Sequence, residues 1–200
     1  MTAVRAGPER DAHTPGPGAP DEPVLLTEIA TLDQVLHAHA AALGGDFTAY
    51  RNHAYRVANL CVALSSPAPA QVEKIALAAA FHDLGIWTDG TFDYLPPSIR
   101  LAEAWLARAG HAEWTAEITA MISEHHGLRR RERSGWLVEP FRKADWVDVT
   151  RGVLRFGVPR SLVRELHARW PDAGFHRRLV HLSLRRLRTH PLNPLPMFRW

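Results

Sequence analysis

Apolar residues recur along this chain at helical steps, and glycine and proline cut the runs at intervals of a helix length. Leu25, Ile29, Leu32 and Leu36 set the phase of a helix over 27–43 that stops at Gly44-Gly45, residues suited to a helix end. Asp46 stands where an N-cap belongs, ahead of a second helix over 47–64, and Ser65-Ser66-Pro67 ends that one. A third helix spans 69–84 and stops at Gly85. Residues 86–95, rich in Thr, Asp and Gly, form a loop. Pro96-Pro97 opens a helix that runs to residue 109 and ends at Gly110, and another covers 112–126 before Gly127. An arginine-rich loop precedes helices over 138–149, 160–169 and 175–188. No segment alternates in the manner of a strand, and no repeat is present. The pattern predicts an all-α chain, a single bundle of about eight helices over 24–190.

The flanks read differently. Residues 1–23 hold Pro8, Pro15, Pro17, Pro20 and Pro23 and lack the apolar middle of a signal peptide, so a disordered leader and a cytoplasmic protein are expected. Three prolines in HPLNPLPMFRW predict an extended tail over 191–200. No apolar run reaches the roughly 18 residues a membrane span requires. The single cysteine, Cys61, excludes an internal disulfide and fits a reducing compartment and a core position. Charge is unevenly placed: residues 1–126 carry 7 Lys/Arg against 15 Asp/Glu, and residues 127–200 carry 17 against 6. The basic half would attract a phosphorylated small molecule or form salt bridges to the acidic half. It carries no nucleic-acid-binding motif, so nucleic acid is not an expected partner.

Helical phase then singles out polar residues on apolar faces. His53 shares a stripe with Val57, Leu60 and Leu64. Ile75 and Ala79 lead by the same steps to His82, Ile118 and Met121 to His125, and Val138 and Phe141 to Asp145. Asp148 has tolerable phase as well, so Asp145 is not a unique choice. Each of these residues alone would read as a core histidine bonded to a carbonyl or as a salt-bridge partner. Burying several separately costs about 1–3 kcal/mol for each group left unpaired. Convergence on one divalent cation satisfies them together, and imidazole with carboxylate is a ligand mixture used for Mn, Fe, Co, Ni or Zn.

The order His53, then His82-Asp83, then Asp145, on successive helices, resembles the HD superfamily of metal-dependent phosphohydrolases. The matching segments are NHAYRVANL, AAAFHDLGI, ISEHHG and RKADWVD, within residues 46–150. The resemblance implies that His53, His82, Asp83 and Asp145 bind one metal ion and that a water on it attacks a phosphorus centre. Asp83 and His125 are the candidate catalytic groups, His125 to orient substrate or protonate a leaving group. In a binuclear branch of the superfamily, a His-His pair like His125-His126 accompanies a further histidine after the HD dipeptide. The stretch YLPPSIRLAEAWL contains none, so one ion is favoured over two. Arg56, Arg129 and Lys143 are the expected phosphate contacts, with Arg130, Arg131 and Arg133 on the same loop as Arg129. The substrate expected is a small phosphoester such as a nucleotide. The alternatives are a di-iron oxygenase or a hydratase on the same scaffold, and then a non-catalytic binding protein. Oligomeric state is not legible.

Overall fold

A computed structural model describes residues 25–130, 135–189 and 191. The expected leader, Arg131, Arg133 and nearly all of the expected tail lie outside them. The described chain is all helical, with eight helices of nine residues or more and two of four residues. In order they are α1 (Ala30–Ala38), α2 (Ala40–Leu43), α3 (Phe47–Ser65), α4 (Pro69–Phe81), α5 (Gly85–Thr88), α6 (Leu95–Ala109), α7 (Thr115–Glu124), α8 (Val138–Val149), α9 (Arg160–Arg169) and α10 (Phe175–Thr189). No described helix is long and apolar enough to cross a membrane.

Helix α3 is the axis. Every residue from Asn52 to Cys61 is buried, so the helix is covered on all sides, most extensively by α8 and then by α4. Close approach is sterically easy because α4 turns Ala76, Ala78, Ala79 and Ala80 into the core. Helices α6 and α7 pair with each other and close the core on the far side of α4. Cys61 is buried, as its phase predicted. Lys74 and the backbone N–H of Leu137 both bond the buried carboxylate of Glu117, at 2.7 and 2.9 Å, which ties α4 and the start of α8 to α7.

Four departures from the sequence reading have identifiable causes. The first helix starts at Ala30, not near residue 27, because side chains of α3 take the backbone groups ahead of it. Asn59 accepts from the Leu26 N–H at 2.8 Å and donates to its carbonyl at 3.2 Å, and the Tyr55 hydroxyl accepts from the Ile29 N–H at 3.0 Å. The same helix breaks at His39, whose ring stands edge-on to Phe81. Asp46 makes no capping bond; its carboxylate instead takes the indole N–H of Trp87 at 2.9 Å and pairs with Arg178 at 3.2 Å.

The end of α4 is the departure that matters most. The helix stops at Phe81 and turns through His82–Leu84 into the short α5. There the Asp83 N–H bonds the Tyr50 hydroxyl at 3.2 Å, where a continuing helix would have used the Ala79 carbonyl. Gly85 makes the turn sterically possible. A Cβ at this position would run into the Tyr94 carbonyl oxygen and lie 2.8 Å from Pro97, because the first turn of α6 packs directly on it. The Gly85 N–H is also held by the Ser98 hydroxyl at 3.0 Å.

Gly85→Ala is therefore expected to destabilise the domain by roughly 1–3 kcal/mol, an overpacking cost, and to lower Tm by roughly 2–10 °C in a thermal melt. A second expectation concerns acid. Asp33 on α1 accepts from Arg51 at 2.6 Å and from Tyr55 at 2.7 Å. Partial burial alone would raise its pKa, but these two partners outweigh burial and hold it below the usual carboxylate value. Folding thus favours the ionised form. Its contribution is complete above about pH 4 and is lost as pH falls through the lower folded value. Asp33→Asn should flatten the decline of Tm below about pH 4, measured by circular dichroism.

Candidate metal centre

The site forms where two helix ends meet the middle of two continuous helices. His53 comes from the middle of α3 and Asp145 from α8; His82 and Asp83 follow the end of α4, and His125 and His126 follow the end of α7. His53, His82, Asp83, His125 and Asp145 are all buried. The structure thus brings together every residue expected to bind metal.

Each of three imidazoles has its Nδ1 engaged and its Nε2 left over. Asp148 Oδ2 accepts from His53 Nδ1 at 2.7 Å, the Ala79 carbonyl from His82 Nδ1 at 2.9 Å, and the Ile122 carbonyl from His125 Nδ1 at 2.6 Å. The two carbonyls are free to accept because their helices stop: Ala79 would otherwise bond Asp83 N–H, and Ile122 would bond His126 N–H. A neutral imidazole that donates through Nδ1 presents a bare lone pair at Nε2, the form a metal ligand takes.

Those lone pairs converge. His53 Nε2 and His82 Nε2 lie 2.9 Å apart. Asp83 Oδ2 is 3.7 and 3.5 Å from them, and Asp145 Oδ1 is 3.6 and 3.8 Å. Two facing lone pairs at 2.9 Å repel unless a positive charge lies between them. Asp83 Oδ1 and both oxygens of Asp145 are buried without a hydrogen-bond partner, a costly state for a carboxylate. A divalent cation among the four atoms relieves both problems at once, and the donor set of two nitrogens and two carboxylate oxygens suits a first-row ion. The residues present therefore fit a metal.

Electrostatics point the same way. Burial pushes the His82 pKa down to about 3, against the pull of the Asp83 carboxylate. Burial would raise Asp83, but the imidazoles of His82, His125 and His53 outweigh it and hold the carboxyl below its usual value. Asp145 goes the other way, raised by burial and by the charges of Asp83 and Asp148 against the pull of His125 and His53.

A second triad adjoins the first: Asp83, His125 and His126 also offer ligand atoms close to one another. His125 Nε2 lies 3.3 Å from Asp83 Oδ1, poorly aligned for a hydrogen bond. Burial disfavours charge on His125, but the carboxylates of Asp83 and Asp145 outweigh it and raise its pKa. His126 is engaged elsewhere. Its Nε2 contacts the Tyr94 hydroxyl at 2.5 Å and its Nδ1 lies 3.5 Å from Asp145 Oδ2. The segment searched for a further histidine thus supplies a tyrosine.

The expected phosphate contacts fare worse. Arg56 is wholly buried; its guanidinium is bound to Asp148 through Nε at 2.5 Å and Nη2 at 2.9 Å, and to the Trp170 carbonyl at 2.7 Å. It faces away from any substrate and holds the carboxylate that holds His53, which corrects its expected role. Lys143 lies against Glu139 at 3.7 Å and over the Phe156 ring. Arg129 is exposed beyond α7. Asp89, the acidic residue after the HD pair, is exposed and paired with Arg100. The role of Asp148 was hinted at by its phase alone. The stacking of Phe175 on His53, with ring centroids 4.0 Å apart, had no sequence signal.

Compared with known protein families, with curated proteins and with solved structures, the chain matches none.

The Arg56–Asp148–His53 relay gives a test. Asp148→Asn is expected to weaken divalent-cation affinity about 10–100-fold in a competitive chelator titration. It should also destabilise the fold by about 3–5 kcal/mol, because Arg56 loses its buried counter-charge. Adding Arg56→Met should restore part of the stability and none of the affinity.

Proposed function

We propose that this protein is a metal-dependent hydrolase of the HD type, cleaving a phosphoester of a small molecule. The observation that supports it is the convergence of His53 Nε2, His82 Nε2, Asp83 Oδ2 and Asp145 Oδ1, with buried carboxylate oxygens that no protein donor satisfies. The order of these residues along the chain is that of the superfamily, and the all-helical fold agrees with it.

A divalent cation held by these four side chains would acidify water and polarise a phosphoryl oxygen. The chain's own residues do the rest. Asp83 Oδ1, outside the four-atom set and without a hydrogen-bond partner, accepts the proton of the attacking water as the new P–O bond forms. His125, its Nδ1 fixed by the Ile122 carbonyl, carries a proton at Nε2 for the leaving oxygen as the ester bond breaks. Phe175 against His53 and Phe141 edge-on to His82 keep water from the imidazoles and hold their planes.

The adjoining Asp83–His125–His126 triad supports a second reading, a two-ion centre with oxygenase chemistry. Tyr94 weighs against it: the segment where a further histidine would stand supplies a phenol bonded to His126 Nε2 and no additional imidazole for a second ion.

Elemental analysis of purified protein and turnover of a phosphoester panel test both readings. One ion per chain with phosphate release is expected. His82→Ala and Asp83→Ala should each abolish metal retention and turnover while helical circular dichroism persists. Phosphate release surviving in both variants would remove the assignment, and two irons per chain with oxygen uptake would favour the second reading.

A further inference from the structure

A cavity of 340 Å³ opens against Asp83 and His126. That volume lies within the usual range for small-molecule sites, about 300–1,000 Å³. Its walls are apolar: Phe92 from the loop before α6, Val149 from the end of α8, and Leu179, Val180 and Leu184 from α10. No arginine or lysine among the described residues lines it.

The few polar groups in the wall are already spoken for. The Tyr94 hydroxyl is bound to His126 Nε2. Both ring nitrogens of His176 face acceptors, Nδ1 the Asp172 carboxylate and Nε2 the Val149 carbonyl. The Ser183 hydroxyl donates to the Leu179 carbonyl. The wall therefore has little to offer the edge of a nucleobase or a ribose, and no arginine or lysine for a polyphosphate. Its polar end is the ligand cluster alone. At the other end Val180 and Leu184 are 58% and 53% exposed, and both line the cavity. An apolar body entering between α10 and Phe92 would cover them.

We propose that the substrate joins a single anionic head to an apolar alkyl or aryl body, with the head at Asp83 and His126 and the body along α10. This rests on reading the cluster as a metal-dependent hydrolase and narrows that reading away from nucleotides.

The test separates binding from turnover. Methylphosphonate and hexylphosphonate, whose P–C bond resists hydrolysis, are titrated calorimetrically into the metal-loaded protein beside adenosine 5′-phosphate. Each fully buried methylene is worth about 4-fold in affinity, so the five added methylenes set a ceiling of about 1,000-fold, and burial of half of them makes hexylphosphonate bind about 30-fold more tightly than methylphosphonate. Leu184→Asp, at an exposed position that spares folding, should remove most of that gain, and Val180→Asp serves as a second variant. Equal binding of the two phosphonates, or tighter binding of adenosine 5′-phosphate than of hexylphosphonate, overturns the proposal. Hydrolysis of methyl and hexyl phosphate is measured in parallel. A chain-length gain in binding without any hydrolysis would overturn the hydrolase and keep the pocket; hydrolysis without the gain would do the reverse.

Discussion

Two imidazoles anchored at Nδ1 with their Nε2 atoms turned to one point, and a third beside them, form the constraint on which the rest of the structure depends. Such an arrangement is unfavourable in a core that offers nothing positive at that point, because nitrogen lone pairs and bare carboxylate oxygens repel one another there. Holding it requires each ring to be fixed from behind. His53 is fixed by a buried ion pair, Arg56 with Asp148, itself secured to the Trp170 carbonyl. His82 and His125 are fixed by carbonyls that become available only because α4 and α7 stop where they do. Helix termination is therefore part of the site.

The packing around those helix ends follows from this. Tyr50 bridges from α3 to the turn after α4, donating to the Ala80 carbonyl at 3.0 Å and accepting from the Asp83 N–H. Gly85 lets the start of α6 sit against the same turn, and alanines on α4 let α3 come close enough for His53 and His82 to meet. Small residues and one buried hydroxyl thus set the distance between imidazoles that are 29 positions apart in the chain.

Much of this was legible in the sequence. The limits expected for α8 and α9 are those observed, and helical phase turned His53, His82, His125 and Asp145 inward as found. Phase says which face a residue occupies but not which neighbour waits there. Arg56, one turn from His53, therefore looked like a substrate contact and proved to be an internal counter-charge. Asp46 looked like a cap and serves Trp87 and Arg178 instead. The end of α4 was misjudged because the competitor for the Asp83 N–H, the Tyr50 hydroxyl, lies 33 residues away. The cavity wall was invisible for the same reason, since α10 is brought to the site by tertiary packing alone.

The contribution of α10 and the turn before it changes what counts as the functional unit. The residues of the His/Asp cluster all lie before residue 150, yet Trp170 grips Arg56, Phe175 lies flat on His53, and Leu179, Val180 and Leu184 line the cavity beside it. A fragment cut after the last ligand would retain all the donor atoms and lose their roof. The imidazole of His53 would be bared to water on one face, and its anchor would lose the carbonyl behind it. The C-terminal quarter of the described chain is in this sense a built-in cover, and variation there would reshape the cavity while leaving the His/Asp cluster itself untouched.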